Sequence, residues 1–308
     1  MRIVFMGTPD FAVQSLKALY EAGHEIVGVF TQPDKPQGRK MVLTPPPVKV
    51  YAESVGLKVF QPKSVKTEES FELLKSFDAD LFAVVAYGKI LPKAVLDLPK
   101  YCCVNVHASL LPRHRGASPI QWSIYCGDKE TGVTTQAMDE GIDTGDILLV
   151  EKTEITDTDN FETLHDRLAL MGAKLLVDTV KGIEDKTIVP EKQPEEGACY
   201  APIITKEMGQ IDFSLTASEI DCRIRAFTPW PSAYFYIDGV RIKVLSAKIG
   251  ENVNETQGTV VGNKNSIAVA CKDGTVIEFV KIQPEGKGAM DAKAYLNGKP
   301  LCIGTKLC

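Results

Sequence analysis

Apolar and polar positions follow two different rhythms along this 308-residue chain. As far as Gly182, short apolar runs alternate with stretches whose apolar residues recur at helical spacing. Ile3–Met6 predicts a buried strand, and Gly7-Thr8-Pro9-Asp10 a turn that opens a helix. Pro9 suits the first helical turn, with Phe11, Leu16, Leu19 and Tyr20 sharing an apolar face. Glu25–Phe30 predicts a second strand, Val48–Val55 a helix after a proline-rich entry, and Leu57–Phe60 an extended segment. Glu68–Phe77 is helical in pattern, whereas Leu81–Ala86 and Cys102–Val106 are apolar enough to be strands buried on both faces. Val133–Met138 continues the strands. Asn160–Lys181 carries Phe161, Leu164, Leu168, Met171, Leu175 and Leu176 at the spacing of one long amphipathic helix. Strands alternating with helices predict an α/β, Rossmann-like domain with a mostly parallel sheet.

The rhythm changes after Gly182. Pro190, Pro194, Gly197 and Pro202 among scattered charges read as a linker. Short alternating strands then follow: Ala233–Ile237, Val240–Leu245, Gly258–Val261, Ile267–Cys271 and Thr275–Ile282, with Asp238-Gly239 and Asp273-Gly274 as turns. Evenly spaced small strands of this kind predict a closed or nearly closed OB-like β-barrel. The expected organisation is a first domain over residues 1–184, a linker over 185–204 and a barrel domain over 205–308.

Composition changes the picture little: 44% hydrophobic and 24% charged residues are those of a globular protein. Charge changes it more. The net charge of -5 argues against a generic nucleic-acid coat. It is also unevenly placed: residues 1–200 hold 22 Lys+Arg against 29 Asp+Glu, and residues 201–308 hold 13 against 11. The second part is therefore mildly basic, which is compatible with a phosphate backbone on one face. Eight cysteines show neither zinc-knuckle spacing nor a companion histidine, and we read them as reduced thiols. Met1–Met6 is too short for a signal sequence or a membrane span, so a cytoplasmic location is expected. Nothing in the chain demands more than a monomer.

Ligands of open α/β sheets bind at the carboxyl ends of the strands, and two polar clusters fall there. In Asn105-Val106-His107 a strand stops at an amide and an imidazole, which alternation places on one face. Asp139-Glu140-Gly141-Ile142-Asp143-Thr144-Gly145-Asp146 follows the strand Val133–Met138. An EF-hand calcium loop is excluded, because Gly141 and Gly145 occupy ligand positions and the closing Glu is absent. The glycine fingerprint of a dinucleotide site is missing from Gly7-Thr8-Pro9. An amide, an imidazole and a carboxylate suffice for acyl transfer to an amine: one donates to an oxyanion, one relays a proton, one orients the imidazole. A histidine at a strand end is also a common structural residue. The residues alone thus admit this chemistry without requiring it.

The same residues resemble a known family. Asn105-Val106-His107 with Ser109-Leu110-Leu111-Pro112 and Arg115-Gly116 resembles the signature of folate-dependent formyltransferases, and the 139–146 segment resembles that family's second signature. The similarity covers essentially the whole chain. Gly7-Thr8-Pro9, Thr31–Pro36, Gly38-Arg39-Lys40 and Ile224–Pro231 resemble the branch of the family that formylates charged tRNA.

The resemblance implies Asn105, His107 and Asp143 as the catalytic trio. It implies Ser109, Leu110, Leu111 and Pro112 as a folate-binding turn, with Val85 and Tyr87 in the strand end against which the pterin lies. It further implies Arg39 and Lys40 on a loop meeting the acceptor end of tRNA, and a barrel domain that also contacts the tRNA. The implied co-substrate is 10-formyltetrahydrofolate, with no metal, and the implied acceptor is the α-amino group of methionine on initiator tRNA. Two rivals stand beside it. One is a formyltransferase acting on an amino-sugar nucleotide or on a glycinamide, for which the loop at 33–41 and the second domain are unneeded. The other is an RNA-binding module without chemistry, using Trp230, Tyr234, Phe235 and Tyr236 as a stacking platform.

Overall fold

The computed structural model describes residues 1–38 and 40–307. They form two compact units. The first comprises residues 1–119, 130–154 and 165–201; the second comprises 120–129, 155–164 and 202–308.

The first unit opens with β1 (Arg2–Gly7), α1 (Asp10–Glu21) and β2 (Glu25–Phe30). A small hairpin, β3 (Lys35–Gln37) and β4 (Val42–Thr44), precedes α2 (Pro47–Ser54), β5 (Val59–Phe60) and α3 (Glu68–Ser76). Then come β6 (Leu81–Val85), α4 (Lys93–Leu96), β7 (Cys103–His107), α5 (Pro119–Tyr125), β8 (Glu130–Ala137), β9 (Asp146–Glu154) and α6 (Phe161–Glu184). Seven strands make one sheet in the order β5-β2-β1-β6-β7-β8-β9. The pairings from β5 to β7 are parallel, while β8 and β9 are added antiparallel. The expected mostly parallel sheet is thus mixed at one edge. β9 had no forecast in the pattern, because its first residue belongs to the polar Asp139–Asp146 segment.

Burial explains why these segments are strands. All five residues of β6 are buried, as are the last five of β1. α1 buries Phe11, Leu16 and Leu19, but Tyr20 is 41% exposed. Adjacent helical residues point roughly 100° apart, so Leu19 and Tyr20 cannot both face inward. On β7, Val104 and Val106 alternate with Asn105 and His107. A Cβ at Gly172 of α6 would stand 2.9 Å from a Val106 methyl. That helix therefore covers the valine face of β7 and leaves Asn105 and His107 on the other. Chain order reverses between β2 and β6 across β1, and ligands of such sheets gather outside the carboxyl ends at that switch.

The β1–β6 seam is pinned at its amino end. Asp80 accepts the Arg2 backbone N–H at 2.7 Å and the Lys100 ammonium at 3.2 Å. The Arg2 amide first, then Lys100, holds its carboxyl below the usual range, against a smaller opposing effect of burial. Since the folded-state value is the lower one, this stabilisation is present above the unfolded value of about 3.9 and disappears as pH falls through the folded value. The expected result is that Asp80→Asn melts below the parent at neutral pH, and that the gap narrows in acid. Thermal melts at several pH values check this; a gap of constant size would refute it.

The second unit contains α7 (Ala217–Ala226), β10 (Ala233–Ile237), β11 (Val240–Ile249), β12 (Val260–Gly262), β13 (Ile267–Ala270), β14 (Val276–Pro284), β15 (Met290–Asp291) and α8 (Ala292–Gly298). Thr216 and Glu219 close a reciprocal capping box at the start of α7. The strands form an antiparallel sheet ordered β10-β11-β14-β13-β12, with β15 on β14. Ala233, Phe235 and Ile237 face inward, and the rings of Phe235 and Phe279 stack at 4.8 Å. Asp238 and Gly239 both take positive φ, 49° and 76°, as a tight hairpin requires. The outer edges are carried further by irregular chain. Ile211 N–H donates to the Tyr234 carbonyl beside β10, and Val260 N–H to that of Thr305 beside β12. Between these edge segments lies a cavity of about 500 Å³ lined by Gln210–Ser214, Gln257, Gly258 and Leu307. Among the described residues, no helix is long and apolar enough to cross a membrane.

Candidate active site

Two strand ends and one loop build the site, all within the first unit. β7 delivers Asn105 and His107 on one face. β8 runs antiparallel beside it, with Asn105 opposite Gln136 and His107 opposite Thr134. The chain leaves β8 in a loop that turns back into β9 and carries Asp143 at φ 54°. This loop folds on itself. Asp139 accepts from the Gly141 N–H at 3.0 Å and from the Thr144 hydroxyl at 2.7 Å. A Cβ at Gly145 would lie 1.9 Å from the Ala137 carbonyl oxygen, and one at Gly141 2.0 Å from Thr144 Oγ1. The glycines of the motif are there because side chains would not fit.

The loop brings Asp143 to His107, 38 and 36 positions away from Asn105 and His107 in sequence. Asp143 Oδ1 accepts from Asn105 Nδ2 at 3.3 Å and from Gln136 Nε2 at 2.9 Å, and stands 3.5 Å from His107 Nδ1. Its Oδ2 accepts the Gly116 N–H at 2.8 Å. His107 is buried, with Nε2 2.9 Å from the carbonyl oxygen of His114. A carbonyl can only accept, so Nε2 carries the proton of that bond and Nδ1 is the edge turned toward the carboxylate.

The segment after β7 wraps this centre. Ser109 is fully buried, donating to the Arg113 carbonyl at 2.6 Å, and its own carbonyl accepts from Thr134 Oγ1 at 2.7 Å. Leu111 is also buried, and its N–H donates to Thr134 Oγ1; Leu110 and Pro112 keep partial exposure. Of the four turn residues, Leu110 and Pro112 are thus the ones with side-chain surface to offer a ligand. Val85 and Tyr87 have their side chains in the core, Tyr87 among Phe30, Phe82 and Leu91. Burial pushes the Tyr87 phenol up to about 12, and its hydroxyl has no hydrogen-bond partner among the described residues. At this strand end only backbone is left to meet a ring. The Tyr87 carbonyl is held by Thr8 Oγ1 at 3.0 Å and Gln32 Nε2 at 3.1 Å.

Lys40 is exposed on the β3–β4 hairpin beside the equally exposed Met41, Val42 and Leu43; Arg39 lies outside the described residues. The hairpin base is tied down. Lys49 Nζ bonds Asp34 at 2.9 Å and Gln61 at 3.0 Å, and Gln61 Nε2 returns to Asp34 at 2.8 Å. The Gln61 hydrogen bond, ahead of Lys49, holds the Asp34 carboxyl below its ordinary value.

Sequence reasoning passed over Gln136, Gln193, the His114 carbonyl and the Gly116 amide. Gln136 did leave a signal, an amide interrupting the apolar run Val133–Met138. The backbone groups left none. Gln193 stands in the stretch read as a linker. That stretch, as far as Ala201, belongs to the first unit and returns across it, pairing Glu191 with Ile147 and Tyr200 with Arg115.

An amide, an imidazole and a carboxylate converging at the carboxyl end of an open sheet define an acyl-group transferase geometry. Comparison gives the class its name: a family model described as formyl transferase matches residues 1–180, and a second, formyl transferase C-terminal domain, matches residues 203–300. The chain belongs to the formyl transferase family. It is 48% identical over 309 residues to a methionyl-tRNA formyltransferase of Caldanaerobacter subterraneus subsp. tengcongensis, covering all of both chains. It is 46% identical over 314 residues to one of Lachnospira eligens, covering 100% of this chain and 99% of that one. In fold it is similar to an N-formyltransferase from Helicobacter canadensis, solved with folinic acid and dTDP-3-aminofucose. That likeness has a TM-score of 0.68 at 20% identity, over 90% of this chain and 98% of that one.

Proposed function

We propose that this protein transfers the formyl group of 10-formyltetrahydrofolate to the α-amino group of methionine carried by initiator tRNA, for translation initiation. The finding that carries this reading is near-half identity with proteins named methionyl-tRNA formyltransferase, sustained over the entire length and both units. Sugar-acting relatives share the fold at 20% identity only.

The chemistry follows from the trio. A free α-amino group has a pKa of about 8, so a useful fraction is neutral near pH 7 without a strong base. Its nitrogen attacks the formyl carbon, forming a C–N bond and an oxyanion. Asn105 Nδ2 has two hydrogens; one serves Asp143 and the other is available to the oxyanion. His107, protonated on Nε2 by its bond to the His114 carbonyl, works through Nδ1. With a second proton there it stabilises the oxyanion, and Asp143 stabilises the imidazolium. The attacking nitrogen loses a proton, the folate nitrogen gains one, the old C–N bond breaks, and tetrahydrofolate leaves. No net proton or electron is consumed.

Leu110 and Pro112 offer side-chain surface, and the Val85–Tyr87 strand end offers backbone, for the folate. Arg39 and Lys40 would meet the acceptor end of the tRNA, and the domain from 205 to 308 its body. Mixing the protein with 10-formyltetrahydrofolate and methionyl initiator tRNA should give formylmethionyl-tRNA. A dTDP-amino sugar as the alternative acceptor should give essentially no product. The opposite preference would replace this reading with the sugar one.

A further inference from the structure

We propose that Gln193 is a positioning residue for the transfer reaction: it staples the loop that presents Asp143, so that the segment from Glu191 to Ala201 acts as a strap across the site rather than as a tether. The inference rests on the functional reading above, because it assigns Gln193 a role through Asp143.

Gln193 is the only partly buried side chain between Glu191 and Gly197, its neighbours there being exposed. Its Nε2 donates to the backbone carbonyls of Asp143, at 2.9 Å, and Gly145, at 2.7 Å. Both hydrogens of the amide are thereby spent on the loop. Its Oε1 accepts from Arg115 Nε at 3.0 Å, and Arg115 is itself buried. One side chain therefore joins the Asp143 loop to the segment whose next residue, Gly116, donates its N–H to Asp143 Oδ2.

The strap is fixed on both sides of Gln193. Glu191 and Ile147 exchange backbone hydrogen bonds of 2.7 and 2.9 Å at the start of β9. Arg115 N–H donates to the Cys199 carbonyl at 2.9 Å, and Ala201 N–H to the Arg115 carbonyl at 2.7 Å. Gly116 must remain glycine for that approach, since a Cβ there would stand 2.9 Å from the Ala201 carbonyl oxygen at φ 113°. The need for such a clamp is local. Asp143 sits in left-handed backbone, which a non-glycine residue keeps only when its surroundings over-determine it. Asp139 and Thr144 fix the loop from within, and Gln193 fixes it from outside.

Gln193→Met keeps most of the volume and removes every hydrogen bond; Gln193→Ala removes both. In the full-length protein each should lower kcat about 10- to 100-fold, the scale of a misplaced catalytic group, with KM for folate and tRNA changed less than about twofold. In an Asp143→Asn background the same substitutions should cost less than about threefold further, since the carboxylate they position is already gone. Amide hydrogen exchange over residues 138–147 should be about tenfold faster in Gln193→Met, with the rest of the first unit unchanged.

Normal kcat in Gln193→Met, a rise in KM alone, or losses that multiply with Asp143→Asn would each overturn the assignment. Unchanged exchange in that peptide would do so without any assay of turnover. Faster exchange in a protein whose parent transfers no formyl group would overturn the functional reading alone.

Discussion

His107→Ala is expected to lower kcat by about 10²–10⁴-fold, the usual contribution of a positioned acid–base group. The imidazole is the one group at the site that can both donate and accept a proton near neutrality, and its Nε2 is committed to the His114 carbonyl. Alanine leaves Nδ1 with no substitute beside Asp143. The fold should survive. His107 lies at the end of β7, and the substitution removes one hydrogen bond to a carbonyl, a cost of about 1–3 kcal/mol. Steady-state kinetics with a thermal melt on the same sample reads both effects. A folded variant with near-parental kcat would remove His107 from the chemistry.

The second large effect is expected at Asp143→Asn. Asn tolerates positive φ about as well as Asp, so the backbone at φ 54° gives no reason for damage. The hydrogen bonds give a strong one. Asn105 and Gln136 converge as donors on Oδ1, and Gly116 donates to Oδ2. A carboxylate accepts on both oxygens, whereas an amide must turn its NH₂ toward one of these donors. Stability should fall by about 1–3 kcal/mol from that mismatch. Independently, kcat should fall by about 10²–10⁴-fold, because the imidazolium loses its counter-charge. Melts and kinetics separate the two losses, and a variant that lost stability but kept kcat would confine Asp143 to a structural part.

Gln136 and Gln193 show how the site divides between what can be read along a chain and what cannot. Gln136 breaks an apolar run, and a polar residue in a buried strand asks for a partner. Gln193 sits among prolines, glutamates and a glycine, where composition says linker, and nothing local announces that its amide serves a loop 50 residues earlier. The strands of the barrel domain were legible because alternation and Asp-Gly turns are local properties: Asp238 and Gly239 take the positive φ that such a turn demands. β9 was missed because its pattern merges with the motif before it. Tyr20 was misplaced because helical spacing fixes neighbours on a face but not where that face ends. Val85 and Tyr87 were legible as a strand end, yet the packing of Tyr87 into the core is a contact with Phe30 and Phe82 that no spacing encodes.

The sequence by itself determined the alternating strand–helix rhythm, the shared face of Asn105 and His107, and the glycines that let the Asp143 loop close, because each follows from bonds and clashes a few residues apart. Only the tertiary structure decided that Asp143 meets His107 Nδ1, that His114 takes Nε2, and that Gln193 holds the loop. Those contacts join residues from 7 to 50 positions apart. They exist because sheet pairing and the returning strap bring them together, and no local preference of the chain can specify such a meeting.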